Sequence, residues 1–163
     1  MEIIEKIQKI IEDDDCEYSD GCLSAYFDFI EVPINDSMQN DLRAFYDQEA
    51  KSWLSTLQNV NYFKLSEIIN WKVQLKSELR EFFYLNEYSR QPEEYKEQIE
   101  MILFIRDQTI EELISLIEKL LHKQEYDVFE IDIRLDRYYA IYSKDYAFRT
   151  ERNYYLLRAQ IHD

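Results

Sequence analysis

Apolar residues in the first fifteen positions recur at Ile3, Ile4, Ile7, Ile10 and Ile11, with glutamate and lysine between them. That spacing lays one stripe along a helix of 3.6 residues per turn. The helix runs into Asp13, Asp14 and Asp15. Carboxylates at a helix C-terminus oppose its dipole, so these three are expected where the helix has already frayed. Leu23, Ala25, Phe27 and Phe29 then alternate with Ser24, Tyr26 and Asp28. Period two with aromatic enrichment predicts a strand, ended by Pro33. Asp36 or Ser37 is placed to cap a helix that turns Met38, Leu42, Phe45, Trp53, Leu54 and Leu57 inward. A second stripe follows Ser66 as cap: Ile68, Trp71, Leu75, Leu79 and Phe82. Pro92 suits a first helical position, and Glu93 and Glu94 suit a first turn. Tyr95, Ile99, Ile102 and Leu103 then share a face, although Ile99, Met101, Leu103 and Ile105 also alternate. Residues 99–105 therefore fit either a helix or a strand. Thr109 and Glu112 stand at capping-box spacing ahead of the stripe Ile110, Leu113, Ile114, Ile117 and Leu121.

After residue 126 the period changes. Phe129, Ile131, Ile133 and Leu135 alternate with Glu130, Asp132, Arg134 and Asp136, which predicts a strand with one wet face. RYYAIY continues it or begins the next strand, Ser143–Asp145 supplies a turn, and YAFR starts back. In NYYLLRAQI, Tyr155, Leu157, Ala159 and Ile161 alternate with Tyr154, Leu156, Arg158 and Gln160. The strand near 23–32 is expected to join this meander, because a lone strand leaves its backbone groups unpaired. The expected fold is α+β: four to five helices packed on one face of a mainly C-terminal antiparallel sheet. Its strands lie near 23–32, 127–136, 138–149 and 153–161. At 163 residues a single domain spanning 1–163 is expected.

Composition narrows the chemistry. Gly21 is the one glycine of the chain. A dinucleotide fingerprint or a phosphate loop needs several, for left-handed backbone and close approach to the ligand, so neither can be built here. Cys16 and Cys22 are separated by five residues with no second pair, which is no zinc pattern; free thiols are expected. His122 follows a helical stripe and His162 is next to last, and neither lies near a serine or cysteine that reads as a nucleophile. No catalytic residue, cofactor or metal is therefore expected. Asp13, Asp14, Asp15, Glu17 and Asp20 have the density of a cation site. Their spacing departs from the calcium loop, which needs a glycine at its sixth position and a glutamate at its twelfth. The most apolar window is too short to span a bilayer, and the N-terminal run is charged rather than signal-like, so no membrane role and a cytoplasmic location are expected.

Charge is uneven. The net is −15, and residues 1–50 alone carry fourteen acids and three bases. Residues 138–163 carry three acids and four bases. Such a balance repels nucleic acid, whose phosphates need lysine and arginine. It suits a basic protein partner, which an acidic face can steer and hold. The bland alternative is a solvated acidic face with no partner at all.

Tyrosine is the second clue. Of fourteen tyrosines, Tyr138, Tyr139, Tyr142, Tyr146, Tyr154 and Tyr155 fall within eighteen residues. Neighbours on a strand point to opposite faces. By the phase of Phe129, Tyr138 and Tyr142 look outward; by the phase of Leu157, so does Tyr154. Tyrosines on a sheet face first of all stabilise cross-strand pairs. Facing solvent beside Arg137, Arg149 and Arg158, they also form the kind of surface that protein partners favour. In size, acidity and α+β character the chain resembles the small acidic immunity or inhibitor proteins of bacterial toxin systems. That resemblance implies a non-catalytic module that sequesters a basic protein partner such as a toxin; the acidic run and the outward tyrosines put its contacts at Asp13, Asp14, Asp15, Glu17, Asp20, Tyr138, Tyr142 and Tyr154. Two other readings stand beside it: a homodimer built on the tyrosine face, and a carboxylate-based, metal-dependent enzyme.

Overall fold

The computed structural model describes residues 2–14, 24–53, 59–88, 96–135, 140 and 142–162. Within them the elements run α1 (Glu2–Asp14), β1 (Ser24–Pro33), α2 (Met38–Trp53), β2 (Val60–Glu67) and α3 (Trp71–Tyr88). Then come α4 (Lys96–Leu121), β3 (Asp127–Leu135), β4 (Tyr142–Arg149) and β5 (Asn153–His162). The strands form one antiparallel sheet in the order β1-β5-β4-β3-β2. The fold is α+β, as the change of period after residue 126 implied.

The sheet has apolar side chains on both faces. On β5, Tyr155, Leu157, Ala159 and Ile161 join Phe27 and Phe29 in a core under α1, α3 and α4, which contribute Ile7, Leu75, Leu79, Ile114 and Ile117 among others. Tyr154 and Leu156 point the other way, into a second core with Ile131, Ile133, Ala147, Val60 and Phe63 under Met38, Leu42 and Tyr46 of α2. The helices were expected on one face; α2 instead roofs the second. The reason lies in β5, which is apolar in both phases, so either face would otherwise expose leucine and tyrosine to water.

Three local readings change, the first being the turn expected at Ser143–Asp145, which lies inside β4 and pairs with β5. Ser66 is not a helix cap: it lies in β2 opposite Glu130, and α3 begins at Trp71. The register of β2 shifts between Val60 and Tyr62, so its core-facing residues fall at Val60, Phe63 and the half-buried Leu65, and the period-two signal is broken. Thr109 does not open a helix, because α4 runs unbroken from Lys96 to Leu121 and includes 99–105. The Thr109 hydroxyl turns back to donate to the Ile105 carbonyl at 3.4 Å, a bond that threonine makes inside a helix. Ser37 does cap α2: its Oγ accepts from the Asn40 amide at 3.3 Å. The side chains of Trp53, Leu54 and Leu57 lie outside the description.

Candidate functional site

Each face of the sheet carries one cation held by carboxylates from two directions. On the second face, Arg158 of β5 lies opposite Asp28 of β1 and Asp145 of β4. Its Nε donates to Asp28 Oδ1 at 2.8 Å, and a second guanidinium nitrogen reaches Asp28 Oδ2. A third nitrogen donates to Glu49 Oε2 of α2 at 3.3 Å, while the guanidinium lies 5.3 Å from the Phe45 ring. Asp145 accepts from the Tyr46 hydroxyl at 2.7 Å and from Gln160 Nε2 at 3.2 Å. Arg158 is 1% exposed and Asp145 1%. Burial loosens the guanidinium's hold on its proton, but Asp28 and the neighbouring acidic groups outweigh it and hold the proton more firmly than usual. Burial, then the charge of Asp145, keeps Tyr46 firmly protonated.

The first face repeats the plan. Lys144 of β4 donates to Glu78 Oε1 of α3 at 3.1 Å and to Glu130 Oε1 of β3 at 3.2 Å. Gln74 Nε2 bridges the same two carboxylates. The Tyr142 hydroxyl donates to the Glu78 carbonyl at 2.9 Å. Burial raises the Glu78 carboxyl above its ordinary value although Lys144 opposes it. Glu78 Oε2 is buried without a hydrogen-bond partner. Burial pulls the Lys144 ammonium down, and Glu78 and Glu130 more than restore it, so it titrates above the usual lysine. A lysine kept protonated in this way is in the wrong state to act as base or nucleophile.

Beyond this cluster α3 no longer covers the sheet. Tyr62 and Lys64 of β2 and Asp132 and Arg134 of β3 are exposed, with the Arg134 guanidinium 5.0 Å from the Tyr62 ring. A depression of about 310 Å³ between Lys64, Ser66, Glu130, Asp132, Ser143 and Lys144 opens on this strip. A wider one of about 600 Å³ lies at the end of the sheet, between Glu125, Tyr126, Asp127 and the β4–β5 turn at Arg149–Glu151. Among the described residues no group of three His, Cys, Asp or Glu is placed to hold a metal ion. Comparison with models of protein families, with curated proteins and with solved structures finds no match to this chain. No described helix is long and apolar enough to cross a membrane.

The residues expected at a partner surface separate. Asp13 and Asp14 are still helical, at the end of α1. Asp15, Glu17, Asp20 and Tyr138 lie outside the described residues. Tyr154 was expected to face solvent and is instead 1% exposed beneath α2, its hydroxyl 3.4 Å from Asp41 Oδ2. Tyr142 points to the face expected for it, the face of Glu130, but α3 covers that part of the sheet and leaves the ring half-buried. Both corrections share a cause: at Tyr154 and Tyr142 the side of the sheet expected to face water lies under α2 and α3. Arg158 and Lys144 were missed as anchors. A signal existed for Arg158: in Tyr-Leu-Leu-Arg-Ala both strand phases are apolar, so the strand is central and its arginine must be buried and paired.

Proposed function

We propose that this chain is a non-catalytic acidic protein-binding module that sequesters a basic protein partner, in the manner of an inhibitor or immunity protein. The observation that supports this most is how its ionisable groups are used. Arg158, Asp28, Glu49 and Asp145, and likewise Lys144, Glu78 and Glu130, neutralise one another while tying helix to sheet. Catalysis needs an acid or base left free at a cavity; among the described residues these two converging clusters are instead engaged in holding helix to sheet. The excess negative charge lies elsewhere, chiefly in the first fifty residues. It supplies the long-range attraction that speeds encounter with a cationic surface. A toxin of the same cell and a cytoplasmic setting go with this reading.

The test is affinity capture with the full chain, identification of the captured protein by mass spectrometry, and reconstitution from purified components. The expected partner has an isoelectric point above about 9, a mark of a strongly basic surface. Its association rate should fall steeply as the Debye length shrinks from about 30 to about 3 Å between ~0.01 and ~1 M salt. A captured partner that is acidic, or a rate indifferent to salt, would overturn the reading.

A further inference from the structure

We propose that the C-terminal half of β2, Leu65–Glu67, is a pairing edge for a second copy of this chain. β2 is one of the two edge strands of the sheet, at the end opposite β1. The Ile68 amide donates to the Val128 carbonyl at 2.8 Å, which fixes the phase of the ladder. Glu67, Leu65 and Phe63 are then the residues whose own N–H and C=O point away from β3. Such a row is a template for another strand, and proteins commonly cover it.

α2 covers only part of it. Gln39, Arg43 and Asp47 stand four residues apart, on one side of that helix. Gln39 Nε2 donates to the Phe63 carbonyl at 3.4 Å, an Arg43 guanidinium nitrogen donates to the Val60 carbonyl at 2.9 Å, and Asp47 Oδ1 accepts from the Val60 amide at 3.0 Å. The cover stops at Phe63. The outward groups of Leu65 and Glu67 have no partner among the described residues.

These free groups are self-complementary. Antiparallel pairing about a two-fold axis at Ser66 sets Leu65 of one copy against Glu67 of the other. It forms four N–H···O=C bonds and leaves the groups held by α2 undisturbed. Ser66 then faces Ser66 of the other copy, and the two Lys64 side chains stay well apart. Just past the strand, Ile69 is 90% and Val73 74% exposed, large apolar side chains that a neighbouring edge would shelter. Charge permits the approach despite the acidity of the chain: beside the edge, Lys64, Arg43 and Arg134 balance Glu67, Asp47 and Asp132. The inference does not depend on the partner reading, because a basic partner has no need of this edge.

Sedimentation velocity of the full chain over a concentration series tests it. A monomer–dimer equilibrium is expected. Glu67→Pro removes one amide donor per copy at an exposed site whose N–H points away from β3. It should weaken dimerisation by about tenfold or more. Ile69→Lys, at a site too exposed to affect folding, should weaken it as well. With Cys16 and Cys22 replaced by serine, Ser66→Cys should oxidise to a covalent dimer, since facing non-hydrogen-bonded residues stand about 4.5 Å apart at Cα, within disulfide reach. A monomer at every concentration, a dimer indifferent to both Glu67→Pro and Ile69→Lys, or a dimer that Ser66→Cys fails to trap would each overturn the proposal.

Discussion

Arg158 and Lys144 sit on opposite faces of one sheet and use the same plan. Each takes a carboxylate from the next strand, Asp28 or Glu130, and another from the covering helix, Glu49 or Glu78. They differ in exposure: the Arg158 side chain is 1% exposed and that of Lys144 27%. They differ in geometry too. The guanidinium grips Asp28 with two nitrogens, whereas the ammonium is a single point between two acids. The difference teaches that one motif can be either a fixed part of a core or a weak clasp at its rim. Burial decides which, because losing one partner of a buried pair strands a charge that water cannot reach.

The sharpest way to break this comparison is to remove the buried cation. Arg158→Met should cost about 3–5 kcal/mol, read as a fall in the urea midpoint, because Asp28 and Asp145 lose their counter-charge under α2. Arg158→Lys should recover only part of it, since an ammonium cannot reproduce the two-nitrogen grip. A neutral Arg158→Met would mean that water reaches this cluster and that the two faces are alike. Next in size is Tyr46→Phe. It removes the O–H bond to a buried carboxylate and should cost about 1.5–3 kcal/mol in the same measurement.

The contrast between the faces also explains what could be read from the residues and what could not. The alternation of Phe129, Ile131, Ile133 and Leu135 correctly marked a strand with one wet face, because β3 near its C-terminal end has no helix above Asp132 and Arg134. The same logic failed at Tyr154, because β5 is central and roofed on both sides. Alternation says which residues share a face, not whether a helix covers it. Ser66 was misread because a bulge in β2 breaks its period, while a helical stripe begins just beyond. Thr109 and Glu112 had the spacing of a cap, but a threonine that bonds back to Ile105 is at ease inside a helix. The two anchored cations depend on pairs far apart in the chain, such as Asp28 with Arg158, and no local pattern carries that information.

On the first face the effects should be smaller. Tyr142→Phe deletes one neutral hydrogen bond to the Glu78 carbonyl at a half-buried site, so about 1 kcal/mol is expected, again from the urea midpoint. A loss as large as that of Tyr46→Phe would show that α3 is held as firmly as α2 and would erase the distinction between rim and core.

The smallest effect is also the one whose dependence on pH separates the two clusters. Glu78 faces Lys144, Glu130 and Gln74, and burial raises its carboxyl above the ordinary 4.5. A carboxyl raised on folding is protonated in both states below 4.5, where it takes nothing from stability. As the pH climbs through the raised value, the unfolded chain ionises more readily than the folded one, and stability falls. Lys144 opposes that rise, so Lys144→Met should push Glu78 higher still and widen the window. Its cost should be near zero in acid and grow to about 1 kcal/mol at neutral pH, the range of a partly exposed pair. Glu78→Gln, which cannot ionise, should shrink the growth when combined with Lys144→Met, leaving only the share that Glu130 contributes. Urea titrations of the three variants and the parent at a series of pH values measure this directly. If the cost of Lys144→Met is already complete below 4.5, the clasp works through packing of the lysine stem rather than through charge, and the likeness to Arg158 is one of shape alone.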